Sequence, residues 1–474
     1  MHRRLQKRAG YRKVAGITLS TALGLAVVAA CSSSSSPSAS NTAAAGAGSG
    51  PVTISVDCAP PPTEPVQSKE WAADVATFEK ANPNITVHSI DAYPCQPPGL
   101  AQFTAELDAG TEANVFYTYF GELDQVLDAG QAADITSYVS TKTVPVWNSI
   151  QASMKSAVTA GSTLYGLPYV NYTQGLVYNR QLFSQAGLNP NDPPTTWAQV
   201  EADATAITKL GHGIYGYGDY SAGNNGGWHF SSEIDAEGGT MTNAAGTEAT
   251  FDSAQGKAVL EALHTLRFTD KAMSPDQGLA WGTLQKQFAD GKLGMYIAAP
   301  DDIYGTIVPE DKGNVNIIGM GPLPSTSGTP AGSLSGGDAY MFAKRDTPAQ
   351  IAAGVKFINF MYLTIGQGAT FNYARTKANG QPVGFPEPEI FTAGSAANTA
   401  YQKSLQASAT INTSYYQTFV NANEVGDGQP VDDQAIYKTL DPVMLAVLTE
   451  PNANISQLLA TASANVNTIL ANSG

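Results

Sequence analysis

Charge is scarce in this sequence. Only 14% of its 474 residues are Asp, Glu, Lys or Arg, and within that set 25 bases face 40 acids, a formal net charge of −15. Six of the bases (Arg3, Arg4, Lys7, Arg8, Arg12, Lys13) stand before Cys31 with no acid among them. Without those six, 19 bases face 40 acids, a net −21. A body of that sign repels the phosphates of nucleic acid and anionic lipid, which excludes both as partners of the body. Catalytic motifs are also lacking. Gly332-Ser-Leu-Ser-Gly336 has Leu where a nucleophile elbow needs Ser, and Gly291-Lys292 is followed by Leu rather than the Ser or Thr of a phosphate loop. With five histidines in the chain, His229 and Glu233, four apart on a helix, find no third metal ligand and read as a surface pair. Asp301-Asp302 and Asp432-Asp433 are adjacent, so on a strand their side chains point to opposite faces and make no acid–base couple by spacing alone. No internal repeat is present. No catalytic residue, metal or cofactor is expected.

What the sequence has is apolar material, 43% of residues, enough for two or three cored domains. The first thirty residues read as a targeting segment: a basic start, then an apolar run from about Val14 to Ala30 that is short for a membrane span. It ends Val28-Ala29-Ala30-Cys31, which resembles a bacterial lipoprotein lipobox and implies cleavage before Cys31 with a lipid on its thiol. The other reading is a plain cleaved signal peptide. Residues 31–50, almost all Ser, Ala and Gly, read as a flexible tether. The remaining cysteines, Cys58 and Cys95, each follow an apolar run (Val52–Val56, Ile85–Ile90). A disulfide between them is the favoured reading, two reduced core thiols the alternative.

From Val52 onward, strands and helices alternate. Val52–Val56, Ile85–Ile90 and Asn114–Phe120 read as strands, with helices at Glu64–Lys80, Leu100–Ala109 and Glu122–Ala129. That rhythm predicts a parallel α/β lobe, whose ligands lie beyond the carboxyl ends of the strands, where Tyr117, Tyr119, Asp57 and Asp91 stand. The central stretch is Tyr165–Asn179. Gly166 and Pro168 bend the chain, Leu176-Val177-Tyr178 makes a buried strand, and Tyr169, Asn171 and Tyr172 sit between. Ser221–Gly227 reads as a Gly/Asn loop able to approach a ligand closely. The end of the chain is mainly helical.

The order of these features resembles the extracellular solute-binding proteins of bacterial ABC importers, in the carbohydrate-binding branch. The resemblance runs through Phe78-Glu-Lys80 and Asn82-Pro-Asn-Ile-Thr-Val87, Asn114-Val115, Leu127-Asp-Ala-Gly130 and Asp134-Ile-Thr136. It continues at Tyr165-Gly-Leu-Pro168, Val177-Tyr-Asn179, Phe288-Ala-Asp-Gly-Lys-Leu-Gly-Met295, Gly321-Pro-Leu-Pro324 and Gly336-Gly337. It implies an α/β, two-lobed, type II periplasmic-binding-protein-like fold with the ligand cleft between lobes joined by two or three crossings. Lobe 1 would hold 51–168 with about 301–362, and lobe 2 would hold 169–300 with about 363–474. It implies a monomer, tethered outside the membrane, that closes on a small carbohydrate and passes it to ABC permease subunits.

Carried over residue by residue, the resemblance places Tyr169, Asn171 and Tyr172 at the cleft, with Tyr117 and Tyr119 from the third strand and Gly337 and Asp338 from the returning one. At Asp301 the chain departs from the family. Many members carry a stacking tryptophan after Gly-Pro, and here a carboxylate follows Ala299-Pro300. Trp228, Trp281 or Tyr416 would then supply the missing ring. Aromatic planes suit the CH faces of a pyranose, and Asp and Asn suit its hydroxyls. For any single aromatic, core packing is the other reading; Trp71 and Trp197 are assigned to the core. Few Lys or Arg flank these positions, which points to a neutral ligand. A secreted glycoside hydrolase and a surface carbohydrate-binding adhesin are the alternatives.

Overall fold

Two β-sheets organise the chain. The first contains β1 (Val52–Ala59), β2 (Ile85–Asp91), β3 (Val115–Tyr119), β4 (Gly166–Thr173) and the late strand Ser335–Phe342. The second contains β5 (Gly175–Asn179), β6 (Tyr215–Tyr217), β7 (Leu293–Ala298) and β8 (Ile318–Gly321), so Ser335–Phe342 is β9. The computed structural model describes residues 50–91, 100–386, 390–422 and 428–472, all within the unit Ala47–Gly474. The expected signal peptide, Cys31, nearly all of the tether and Cys95 lie outside the described residues. Cys58 is disulfide-bonded. Among the described residues no helix is long and apolar enough to cross a membrane.

The first sheet runs β2-β1-β3-β9-β4 and the second β8-β5-β7-β6. β1 is parallel to β2 and β3, as the strand–helix alternation predicts. β9, however, is antiparallel to both β3 and β4, so the first sheet is mixed rather than parallel throughout. The cause is connectivity. β9 enters from the second sheet, not through a helical crossover on the first.

β4 and β5 are nearly one extended run, with only Gln174 between the two sheets. Gln174 is fully buried. Its N–H donates to Ser333 Oγ at 2.9 Å, and that hydroxyl donates to the Gln174 carbonyl at 3.1 Å. Ser333 lies on the return passage, 322–334, so outgoing and returning chains are tied at the same point.

Helices cover the sheets where their apolar stripes dictate. In α1 (Pro65–Ala81), Trp71 and Phe78 are seven residues apart and pack on Phe357 of a later helix at 6.0 and 5.0 Å between ring centroids. Trp71 and Trp197 are both buried. α2 (Asn225–Ala236), α3 (Pro348–Ile358), α4 (Asp433–Thr449) and α5 (Ile455–Leu470) complete the frame. α3 starts with a reciprocal Thr347–Gln350 cap and with Pro348 at its first position.

The expected chain division changes on two counts. Ile303, Ile307, Ile318 and Met320 pack with the second sheet, whereas Phe371, Tyr373, Ile390, Phe391, Tyr401 and Leu405 pack in the first core. β8 explains the first change: its ladder to β5, from Ile318 opposite Asn179 to Gly321 opposite Leu176, keeps the chain in the second sheet past 300. The return crossing is therefore at 322–334, and α4 and α5 join the second core only after a further passage beyond Leu405.

Candidate functional site

A cavity of about 170 Å³ opens between strands of the first sheet and the helices and loops that pack with the second. One water needs only about 10–15 Å³ of such space, so the cavity admits a ligand rather than a lone solvent molecule.

The first wall is built by strand register. Tyr117 and Tyr119, two apart on β3, share one face and line the cavity with Asp338 of β9 and Tyr172 of β4. Asp338 stands directly opposite Tyr119 across the antiparallel ladder. Tyr172 stands opposite Gly336, where a Cβ would lie 2.1 Å from the tyrosine ring, so only glycine lets that ring lie across β9. Asp57 anchors the wall from behind: its buried carboxylate accepts the Tyr117 N–H at 2.8 Å.

The opposite wall is built by helix ends and loops. Trp228 and Asn225 of α2, Asn224 before it, Trp281, Asp301 and Tyr437 of α4 face the first wall. Gly227 brings α2 against α4, since a Cβ there would meet Tyr437 Cα at 2.4 Å. The Asp441 carboxylate accepts the N–H groups of Asn224 (2.7 Å) and Gly226 (3.1 Å), which satisfies the open N-terminus of α2. Asn225 Oδ1 accepts the backbone N–H of Trp281 at 2.8 Å and ties that segment to the start of α2. Trp281 keeps 38% of its surface exposed, unusual for so large an apolar ring. Trp228 meets Tyr172 edge-on, 6.3 Å between centroids, and Trp281 at 6.1 Å, so the rings of the two walls touch.

Behind Asp301 lies a closed polar network. Buried Asp302 accepts from Gln285 Nε2 at 2.8 Å and Tyr296 Oη at 3.2 Å, and Gln285 accepts from Tyr220 Oη at 2.6 Å. Tyr220 in turn stacks beneath Trp281. Asp302 is thus a positioning group, while Asp301 faces the cavity.

Both cavity carboxyls titrate high. Burial pushes Asp301 up to about 6. It pushes Asp338 up to about 7, with the Asp301 and Glu122 carboxylates adding to the rise and the Tyr117 hydroxyl opposing it. Burial likewise lifts Glu122, which follows β3, to about 7. Asp433, at the start of α4, rises well above the ordinary carboxylate range through burial and then the Glu122 charge.

Seven expected residues line the cavity: Tyr117, Tyr119, Tyr172, Trp228, Trp281, Asp301 and Asp338. Four do not. Tyr169 is the extra residue of a bulge, since Val170 pairs with Asp338 and Pro168 with Ala339, and its ring packs on Tyr340 and Tyr362 at 5.3 and 4.3 Å. Asn171 alternates to the other side of β4 from Tyr172 and accepts from Ser335 Oγ at 3.0 Å. Gly337 seats the Phe120 ring, which a Cβ would approach to 2.1 Å. Tyr416 is buried in the core under the second sheet, against Phe385. His229 and Glu233 are not a surface pair. Both are fully buried, with His229 Nδ1 2.6 Å from Asp219 and Tyr217 Oη 3.5 Å from Glu233. Among the described residues no group of three His, Cys, Asp or Glu is placed to hold a metal. Gln429, just before α4, and Gln434 and Tyr437 on it carry no local signal that this segment returns to the cavity.

Residues 62–368 match the family model described as bacterial extracellular solute-binding protein. The chain belongs to that family. A putative binding protein of Brucella abortus (strain 2308) is 28% identical over 224 residues, 47% of this chain and 52% of that protein, so the chain spans about half the length of the curated relatives it matches. The fold is that of an ABC transporter solute-binding protein from Thermotoga lettingae bound with α-D-tagatose (TM-score 0.67, 19% identity, 88% of this chain and 99% of that one). It is also that of a solute-binding protein from Agrobacterium vitis with bound D-mannitol (TM-score 0.67, 19% identity, 89% and 99%). The family and these neighbours are binding proteins rather than enzymes.

Proposed function

We propose that this protein captures a sugar in this cavity and hands it to the permease subunits of an ABC importer, held outside the membrane by a lipid on Cys31. The observation that carries this reading is the composition of the walls. Tyr117, Tyr172, Trp228 and Trp281 offer flat apolar faces, and Asp and amide groups stand between them. Because one wall belongs to the first sheet and the other to helices and loops that pack with the second core, a ligand touching both favours the closed arrangement. Among the described residues no Lys, Arg or His lines the cavity, which speaks against an anionic ligand.

The test is a thermal-shift screen of the mature protein against a sugar panel. One sugar class should raise the melting temperature in a concentration-dependent way. A panel without effect would end the sugar reading. Asp301 and Asp338 in one aromatic cavity also favour a second reading, a glycoside hydrolase, since two carboxyls are what that chemistry needs. Release of reducing ends from a bound oligosaccharide would establish it; a ligand recovered intact supports capture.

A further inference from the structure

Resting on the sugar reading, we infer that the ring held in this cavity carries a protonated amine, which sits between the carboxylates of Asp338 and Asp301. The ligand class is then an amino sugar or amine-bearing pseudo-sugar rather than a neutral one.

The two acids come from opposite walls, Asp338 from β9 and Asp301 from the segment after β7. Neither belongs to any ion pair among the described residues. Asp338 Oδ1 has no exposed surface and no hydrogen-bond partner among the described residues. An unpaired carboxylate withdrawn from water is costly, and a second one nearby adds repulsion. Sugar hydroxyls would satisfy the lone pairs but leave the charge. An ammonium group satisfies both at once, with charge-assisted hydrogen bonds. The remaining surface suits the same group: Trp228 and Trp281 present indole faces, the strongest cation–π partners among side chains, next to the acids. The amides Asn224 and Gln434 bond one another, Asn224 Nδ2 donating to Gln434 Oε1 at 3.1 Å, which leaves Asn224 Oδ1 and Gln434 Nε2 for the hydroxyls. The elevated pKa values of the acids agree with a cavity lacking its counter-charge. Because the charge is drawn to both walls, the cation itself would draw them together, which a neutral ring does more weakly.

The test is calorimetric titration with pairs matched in shape: glucosamine against glucose, galactosamine against galactose, and the β-1,4-linked glucosamine disaccharide against cellobiose. In each pair that binds, the amine should bind roughly tenfold or more tightly, the scale of one charge-assisted hydrogen bond. Asp338→Asn and Asp301→Asn, each near-isosteric, should bring that preference towards unity while a single cooperative melting transition shows each variant to be folded. If one variant fails to fold, the other carries the test. Equal or tighter binding of the hydroxyl partner in every pair, or a preference that survives both substitutions, overturns the amine assignment and leaves sugar capture standing. Absence of binding by all six sugars overturns the sugar reading and the amine with it.

Discussion

The two walls of the cavity are held by different physics. The β3–β4–β9 wall is a ladder. Its tyrosines and Asp338 are fixed by register, so one backbone pairing positions several side chains at once. The α2–α4 wall is an assembly of ends, in which Asn224, Trp228 and Trp281 owe their places to separate local contacts, among them the Asp441 carboxylate, the absent side chain of Gly227 and the Asn225 amide. Loss of one contact in the register-held wall leaves the rest of the ladder in place; in the end-built wall it shifts the side chain that contact held.

Substituting the two close-approach glycines breaks this comparison most directly. Gly227→Leu drives a side chain into the Tyr437 backbone, which cannot retreat, and should cost about 3 kcal/mol or more in denaturant unfolding. Gly336→Ala meets only the Tyr172 ring, which can swing away, so it should cost less stability and more affinity. Equal stability losses would sink the distinction.

Next in size are the facing rings. Trp228→Ala and Tyr172→Ala should each weaken ligand binding by roughly tenfold to a hundredfold, as buried aromatic contacts do, with both variants still folded. Native affinity in both would place the ligand elsewhere.

A smaller effect follows from the acids that join the walls. Asp338, beside Tyr117, Asp301 and Glu122, titrates near 7, and Asp301 near 6. Both stand above the ordinary aspartate value, so between about pH 4 and 7 the folded protein holds protons that the unfolded chain releases, and stability falls as pH rises through that window. The melting temperature of the ligand-free protein should therefore decline from pH 5 to pH 8, and Asp338→Asn should flatten the decline. A profile unchanged by that substitution would contradict it. Smallest is Asp441→Ala, which uncaps α2 and should cost about 1–2 kcal/mol by thermal unfolding, with a modest loss of affinity through Trp228.

Legibility in the sequence follows the same divide. Tyr117 and Tyr119 were readable because alternation on a strand is local, and the Pro168–Asn179 crossing because Gly and Pro mark a bend before an apolar run. Tyr169 was misread because a bulge shifts alternation by one, and nothing in Tyr165–Asn179 announces the bulge; it exists because β9 pairs there. The glycines at 336 and 337 were visible as a pair, but their purpose, seating Tyr172 and Phe120, depends on rings far away in the chain. His229 and Glu233, polar and helical, read as surface until packing of α2 against Tyr217, Asp219 and Tyr220 buried them.

By itself the sequence determined the α/β alternation, the crossing at Pro168–Asn179, an acidic body and a family resemblance, since periodicity, bend residues and net charge are properties of neighbours along the chain. Only the tertiary structure decided which carboxylates face each other, where the chain returns at 322–334, and that Gln434 and Tyr437 close the cavity. Those are meetings between segments as far apart in the chain as Tyr117 and Tyr437, set by sheet register and helix packing.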